Sequence, residues 1–115
     1  METSSQSTPI KHLIAGASRG IGRSLVDQSI GAGHEVYALS RTPPESAPAN
    51  CNWITGDITN SSSYIDQLPE QIDSLTFCAG KVVLGPLKRL RSEQMLEAYK
   101  TSVLDAFTLI QALLP

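Results

Sequence analysis

The stretch GASRGIG, residues 16–22, most constrains the fold of this chain, because three of its seven residues are glycines at a predicted strand-to-helix junction. The apolar run IKHLIAG (10–16) before it predicts a central β-strand, and RSLVDQSIGAG (23–33) after it predicts a helix that ends at its glycines. Glycines at such a junction permit a tight turn and let a ligand approach the backbone closely. Since a helix N-terminus attracts anions, the sequence predicts a phosphate-binding loop here.

The rest of the chain continues the alternation of strands and helices. Three further strands are predicted, at 35–40, 51–55 and 73–80. A proline-rich loop (41–50) separates the second strand from the third, and a short helix (60–68) precedes the fourth. This α/β pattern predicts a three-layer parallel sheet, and right-handed crossovers give the strand order 3-2-1-4. Gly16 and Gly80 then end the two strands that flank the ligand-binding crevice.

A long final helix is predicted from Ser92, which is a suitable N-cap, to the end of the sequence. Its apolar residues recur at three- and four-residue steps, as in a helix that packs one face on a sheet. These residues are Leu96, Tyr99, Val103, Phe107, Ile110 and Leu114. Tyr99 is accordingly expected to pack against the sheet.

Composition excludes several classes of protein. The 115 residues suit one domain, with 41% hydrophobic and 17% charged residues and a net charge of −2, which favours neither nucleic acid nor an anionic membrane as partner. No apolar run is long enough to span a bilayer, and the N-terminus lacks the features of a signal peptide. We expect a cytoplasmic protein with a disordered leader over residues 1–9 and one domain over residues 10–115.

The cysteines and histidines do not suggest a metal centre. Cys51 and Cys78 lie in apolar strand-like runs and are expected to be buried, reduced thiols. His12 and His34 have no cysteine or carboxylate partners at metal-ligand spacing, so no metal site is expected.

Four segments resemble the short-chain dehydrogenases/reductases. AGASRGIG (15–22) is similar to that family's T-G-x-x-x-G-I-G motif, with Ala15 in place of threonine, and GDIT (56–59) to its acidic segment after strand 3. FCAG (77–80) resembles the family's N-N-A-G segment, and YKTSVLDAF (99–107) resembles its V-N-L-x-G-x-F segment. In the second of these, Ser102 takes the place of the catalytic asparagine and Asp105 that of the glycine. The resemblance covers nearly all of this chain and the first half of a typical member. It implies a partial, truncated Rossmann-like domain that binds NAD(P).

The resemblance also implies which residues contact the cofactor. Asp57 would face the adenine, and Ser18 would bond the cofactor. The full set of implied cofactor-binding residues is Gly16, Ser18, Arg19, Gly20, Ile21, Gly22, Ser40, Arg41, Asp57, Ile58, Ala79 and Gly80. Arg41 follows strand 2, where NAD-selective folds usually carry an acid that bonds the ribose 2′-hydroxyl. An arginine there can bind a 2′-phosphate instead, and Arg19 in the glycine loop can reach the same phosphate. NADP(H) is therefore predicted over NAD(H).

The family's catalytic pair is absent from these 115 residues. Its members use a tyrosine and a lysine spaced Y-x-x-x-K, whereas Tyr37, Tyr64 and Tyr99 are followed four positions later by arginine, leucine and valine. Three hypotheses stay open: an oxidoreductase whose catalytic half is missing or lies on another chain, a non-catalytic nucleotide-binding or regulatory module, and an interaction remnant.

Self-association is also predicted, because the outer edge of strand 4 and part of the final helix would be apolar and uncovered. A homo-oligomer would cover both features. The alternative is that the N-terminal leader or the loop over residues 81–91 folds over the strand edge.

Overall fold

The computed structural model describes residues 8–80 and 83–115, and its four strands form one parallel sheet. The strands are β1 (Lys11–Ala15), β2 (Glu35–Ser40), β3 (Cys51–Thr55) and β4 (Ser74–Phe77). They pair in the order β3-β2-β1-β4, with Leu13 opposite both Tyr37 and Leu75, so the predicted order is confirmed. Residues 1–7 of the expected leader lie outside the described residues.

The helices connect and cover this sheet. Helix α1 spans Gly20–Gly31, and a final helix runs through α2 (Ser92–Tyr99), a π-helical segment (Lys100–Leu104) and α3 (Asp105–Leu113). The residues at the junctions keep α-helical dihedral angles, so the chain continues in one direction through the π-helical segment. Short 3₁₀ turns lie at Ser61–Ser63, Ile65–Gln67 and Leu87–Arg89. The proline-rich loop between β2 and β3 contains no helix, as predicted.

Two hydrophobic clusters lie on opposite faces of the sheet. Adjacent residues of a strand point to opposite faces, and here Leu13 joins one cluster while Ile14 joins the other. Val26 of α1 packs in the cluster of Ile14, and Leu109 of α3 packs in the cluster of Leu13. The result is the expected three-layer arrangement, which fixes the carboxyl ends of the strands at one edge of the sheet.

The helix predicted over 60–68 is wrong, since the chain forms two separate 3₁₀ turns there. The side chain of Asn60 does not cap a helix; its Oδ1 accepts a hydrogen bond from Ser62 Oγ at 2.7 Å. The Ser63 hydroxyl donates to the Asn60 carbonyl oxygen at 2.6 Å, and Tyr64 leaves helical geometry with φ −131°. Serine and asparagine side chains compete in this way with the helical backbone.

The predicted core face of the final helix is also wrong. Its six apolar residues at three- and four-residue steps are all exposed, including Tyr99 (53%) and Phe107 (57%). The helix instead turns Asp105 and Leu109 inward, with Leu113 packed against the same cluster. The π-helical segment lies between Tyr99 and Asp105, so it changes the rotation of the helix surface that reaches the sheet.

Smaller differences concern the ends of elements. β1 excludes Ile10, whose backbone N–H donates to His34 Nδ1 at 3.1 Å, and it ends before Gly16. β4 is the four residues 74–77 rather than 73–80. Ser92 is the first helical residue rather than the N-cap, because Gln94 Oε1 accepts from the backbone N–H of Arg91. Both cysteines are free thiols as predicted, but they are half-buried rather than buried.

Candidate functional site

A cleft of about 870 Å³ lies at the carboxyl ends of the strands. Ten of the twelve predicted cofactor-binding residues line it: Gly16, Ser18, Arg19, Gly20, Ser40, Arg41, Asp57, Ile58, Ala79 and Gly80. The remaining two do not line it, since Gly22 is buried at the start of α1 and the Ile21 side chain is 81% exposed. Four separate segments of the sequence therefore meet at one place because parallel strands end at the same edge.

The floor of the cleft is the glycine loop between β1 and α1. Gly16 has φ +82°, and a Cβ at this residue would lie 2.6 Å from the backbone nitrogen of Ala79. A Cβ on Gly22 would lie 2.0 Å from the carbonyl oxygen of Gly16. These two glycines therefore let the loop, the end of β4 and the first turn of α1 pack backbone against backbone.

The start of α1 opens into the cleft. Gly20 has φ +63°, and a Cβ there would meet no atom within 4 Å, so space is open directly above the helix N-terminus. The first turn of α1 carries no acidic side chain that would compete for its N–H groups. This geometry suits a phosphate, which would accept hydrogen bonds from backbone N–H groups in the positive field of the helix.

The end of β2 holds a hydroxyl and a guanidinium in different environments. Ser40 is buried, its Oγ donates to the Thr42 carbonyl oxygen at 2.6 Å, and its single hydrogen is thereby engaged. Arg41 and Arg19 are exposed at the cleft, and within residues 8–80 and 83–115 neither forms an ion pair. The two guanidiniums can therefore meet an anionic ligand without first breaking a salt bridge.

Asp57 lies on the same side of the cleft after β3. Its Oδ1 accepts from both the backbone N–H (2.9 Å) and the hydroxyl (2.7 Å) of Thr59. These hydrogen bonds, and to a lesser extent the charges of Arg41 and Lys100, hold the pKa of Asp57 below its usual value. The carboxylate is therefore ionised at neutral pH and can accept from a donor on a bound ligand.

The final helix forms a wall of the cleft that the sequence analysis did not identify, through Glu97, Lys100 and Thr101. Lys100 Nζ lies 2.9 Å from Oδ1 of Asp105, whose side chain is 8% exposed. The signal in the sequence was Asp105 itself, a charged residue where the family motif has glycine. Ser102 is in the same π-helical segment, and a Cβ on Gly80 would lie 3.4 Å from its Oγ.

The two histidines lie at the other end of the sheet. His12 is buried near the amino end of β1, with its ring nitrogens 3.0 Å from Ser29 Oγ and 2.8 Å from Thr76 Oγ1. Across the described ranges, no group of three or more histidine, cysteine or acidic residues is arranged to hold a metal ion. None of the helices formed by those residues has the length and apolar character needed to cross a membrane.

Comparisons with known proteins agree with this geometry. The family model described as short chain dehydrogenase matches residues 11–115. The chain is 32% identical over 110 residues to a 3-ketodihydrosphingosine reductase of Bacteroides thetaiotaomicron, covering 90% of this chain and 40% of that enzyme. It is 30% identical over 86 residues to a benzil reductase ((S)-benzoin forming) of Bacillus subtilis, covering 68% of this chain and 35% of that enzyme.

Solved structures share the fold. A short chain dehydrogenase from Leptospira borgpetersenii with bound NAD⁺ superposes with a TM-score of 0.77 at 24% identity, over 97% of this chain and 48% of that one. A carbonyl reductase from Pseudomonas aeruginosa superposes with a TM-score of 0.72 at 26% identity, over 90% of this chain and 54% of that one. The chain thus spans about a third to a half of the length of these relatives. Since the family model extends over all but the first ten residues, this chain belongs to the short-chain dehydrogenase family.

Proposed function

We propose that this chain binds NADP(H) in the cleft at the carboxyl ends of the four strands. The observation that carries the proposal is the convergence of ten predicted residues, from four distant segments, on one cleft. Its volume of about 870 Å³ is within the range of pockets that hold small molecules and cofactors. A strand-to-helix turn that binds nothing would need neither the open space above Gly20 nor the two cations beside it.

The cofactor's phosphates are assigned to the glycine loop. The backbone N–H groups at the start of α1 would bind the pyrophosphate, because Gly20 leaves the approach open and no acidic side chain lies in the first turn. Asp57 and Ile58 are then beside the adenosine half, and Ala79 and Gly80 continue the cleft on the other side of Gly16.

The preference for NADP(H) is assigned to Arg41 and Arg19. The relative from Leptospira holds NAD⁺, so the competing cofactor lacks only the 2′-phosphate. An arginine can donate a charge-assisted hydrogen bond to that phosphate, and such a bond contributes about 1.5–3 kcal/mol. NADPH is therefore expected to bind on the order of tenfold to a hundredfold more tightly than NADH.

Calorimetric titration of the chain with NADPH and with NADH tests this proposal. Arg41→Ala should bring the two affinities close together by weakening NADPH and leaving NADH unchanged. Arg89→Ala is the matched control, because it removes the same charge from an exposed residue that does not line the cleft. Equal affinities in the unaltered chain, or an NADH preference that survives Arg41→Ala, would contradict the assignment.

The chemistry proposed for these 115 residues is cofactor binding within an oxidoreductase lineage. They contain no Y-x-x-x-K pair, and Ser102 stands where the family motif has its asparagine. Carbonyl reduction of the kind named for the relatives would need a general acid that these residues do not supply. The cytoplasm is the compartment we propose, since both thiols are free and a reducing compartment keeps them so.

Self-association is a second proposed property, and it is supported by apolar surface on the final helix. Besides Tyr99, three large apolar side chains of this helix are more than half exposed, Met95, Leu96 and Phe107, and so is Leu114 directly after it. Within the described residues β4 pairs only with β1, so its outer edge also has no strand beside it. A second copy of the chain would cover both features by a twofold contact.

Sedimentation velocity at micromolar concentration tests the association. Phe107→Glu should shift the chain towards a monomer of 12.3 kDa, because it places a charge in the apolar surface. Leu84→Glu is the control, since Leu84 is 87% exposed and lies outside the final helix. A chain that is monomeric before any substitution would refute this second proposal and leave cofactor binding intact.

A further inference from the structure

A short relay of hydrogen bonds links β3 to the turn that carries Arg41. The indole Nε1–H of Trp53 donates to Ser40 Oγ at 2.8 Å. The Ser40 hydroxyl in turn donates to the carbonyl oxygen of Thr42 at 2.6 Å. Ser40 is buried and Trp53 is half-buried, so water competes little for these bonds.

The relay fixes the backbone on both sides of Arg41. The carbonyl oxygen of Ser40 accepts from the Gly56 N–H at 2.9 Å, which holds the end of β2 against the segment after β3. The Ser40 side chain then holds the carbonyl of Thr42, two residues later. Arg41 lies between these two anchored residues, so the direction in which its side chain leaves the backbone depends on Trp53 and Ser40.

We infer that Trp53 and Ser40 are positioning residues that set how strongly this cleft prefers a 2′-phosphorylated nucleotide, an inference that rests on the proposed function. An exposed arginine on a mobile turn would lose more conformational freedom on binding a phosphate than one whose backbone is already held. The Ser40 hydroxyl hydrogen is engaged by Thr42, so Ser40 contributes through the turn rather than by donating to the phosphate.

The test compares the ratio of NADPH to NADH affinity among variants of the whole chain. Ser40→Ala and Trp53→Phe each break the relay and should lower the ratio of NADPH to NADH affinity about three- to tenfold. Ser40→Thr keeps the hydroxyl and should keep the ratio. Asn52→Ala is the control on the neighbouring β3 position, because Asn52 bonds the Val36 carbonyl and not the turn.

A merely structural role would give a different result. Loss of stability alone would weaken both nucleotides in parallel and would leave the ratio of their affinities unchanged. Trp53 is the single tryptophan of the chain, so its fluorescence provides a second readout. NADPH should change its emission more than NADH does, and Ser40→Ala should remove that difference.

Arg41→Ala, measured in parallel, separates the two possible failures. If it removes the NADPH preference while Ser40→Ala and Trp53→Phe keep the ratio, the relay has no positioning role and the proposed function stands. If Arg41→Ala also keeps the ratio, the assignment of the 2′-phosphate to Arg41 is wrong and the inference about the relay fails with it.

Discussion

Replacing Gly22 by alanine would place a methyl carbon 2.0 Å from the carbonyl oxygen of Gly16. The atom it meets is backbone, as is the Gly16 carbonyl carbon at 2.9 Å, so no side chain can rotate away. Helix α1 would have to move by about 1.4 Å or more from the loop to restore ordinary contact, which begins at 3.4 Å. Overpacking of this kind costs about 3 kcal/mol or more in the free energy of unfolding.

Two other glycines provide matched comparisons for the same substitution. Gly20→Ala meets no atom within 4 Å, so only the positive φ of +63° opposes it, at a cost of about 1–2 kcal/mol. Gly31→Ala at the end of α1 also meets no atom, and at a helical residue it should stabilise the chain by about 0.4–1 kcal/mol.

Urea unfolding followed by circular dichroism measures all three variants, and thermal unfolding checks the order. A cost of about 3 kcal/mol corresponds to a fall in Tm of roughly 12 °C or more for a domain of this size. The expected order of stability is Gly31→Ala, then Gly20→Ala, then Gly22→Ala. A Gly22→Ala variant as stable as Gly20→Ala would refute the close packing of α1 on the loop.

Three further predictions concern other parts of the chain. Lys100→Met should lower the free energy of unfolding by about 1–3 kcal/mol, because it leaves the buried Asp105 without its cation. A double-mutant cycle with Asp105→Asn measures the coupling energy of the two residues, and zero coupling would contradict this prediction. Burial, and next the nearby His34, hold the pKa of His12 below its usual 6.5, so the unfolded state binds that proton more readily. Stability should therefore be full above about pH 6.5 and decline as the pH falls below it, and His12→Gln should flatten that decline in a urea series at stepped pH. Finally, the chain should oxidise NADPH with aldehydes, ketones or quinones at least about 10²–10⁴-fold more slowly than a relative with the catalytic pair, and robust turnover lost in Tyr99→Phe would count against this.

The sheet and most of the cleft could be predicted because their signals are local. Apolar strands and glycines at strand ends are read directly from the sequence, and the handedness of crossovers then determines the strand order. Once that order is known, Gly16, Arg41, Asp57 and Gly80 must meet at one edge. Their geometry follows from topology rather than from details of packing.

The final helix could not be predicted because its orientation depends on the π-helical segment. A regular period assigns Tyr99 and Phe107 to the core, whereas one π-helical turn brings Asp105 and Leu109 inward instead. Lys100, the first residue of that segment, lines the cleft wall, and the apolar period of the helix carries no signal for it. The helix prediction for residues 60–68 was wrong for a different reason, because serine and asparagine side chains form local hydrogen bonds that compete with those of a helix.

Titration of the ¹⁵N-labelled chain with NADPH, followed by the backbone amide resonances, tests the central claim most directly. We predict that the largest changes in amide chemical shift occur at residues 16–22, at Arg41 and at residues 78–80. The amide resonances of His12 and His34, at the opposite end of the sheet, should not shift. NADH should perturb the glycine loop at higher concentration and Arg41 much less. Saturating NADPH that leaves the glycine loop unchanged, or that shifts only residues outside the cleft, would contradict the account.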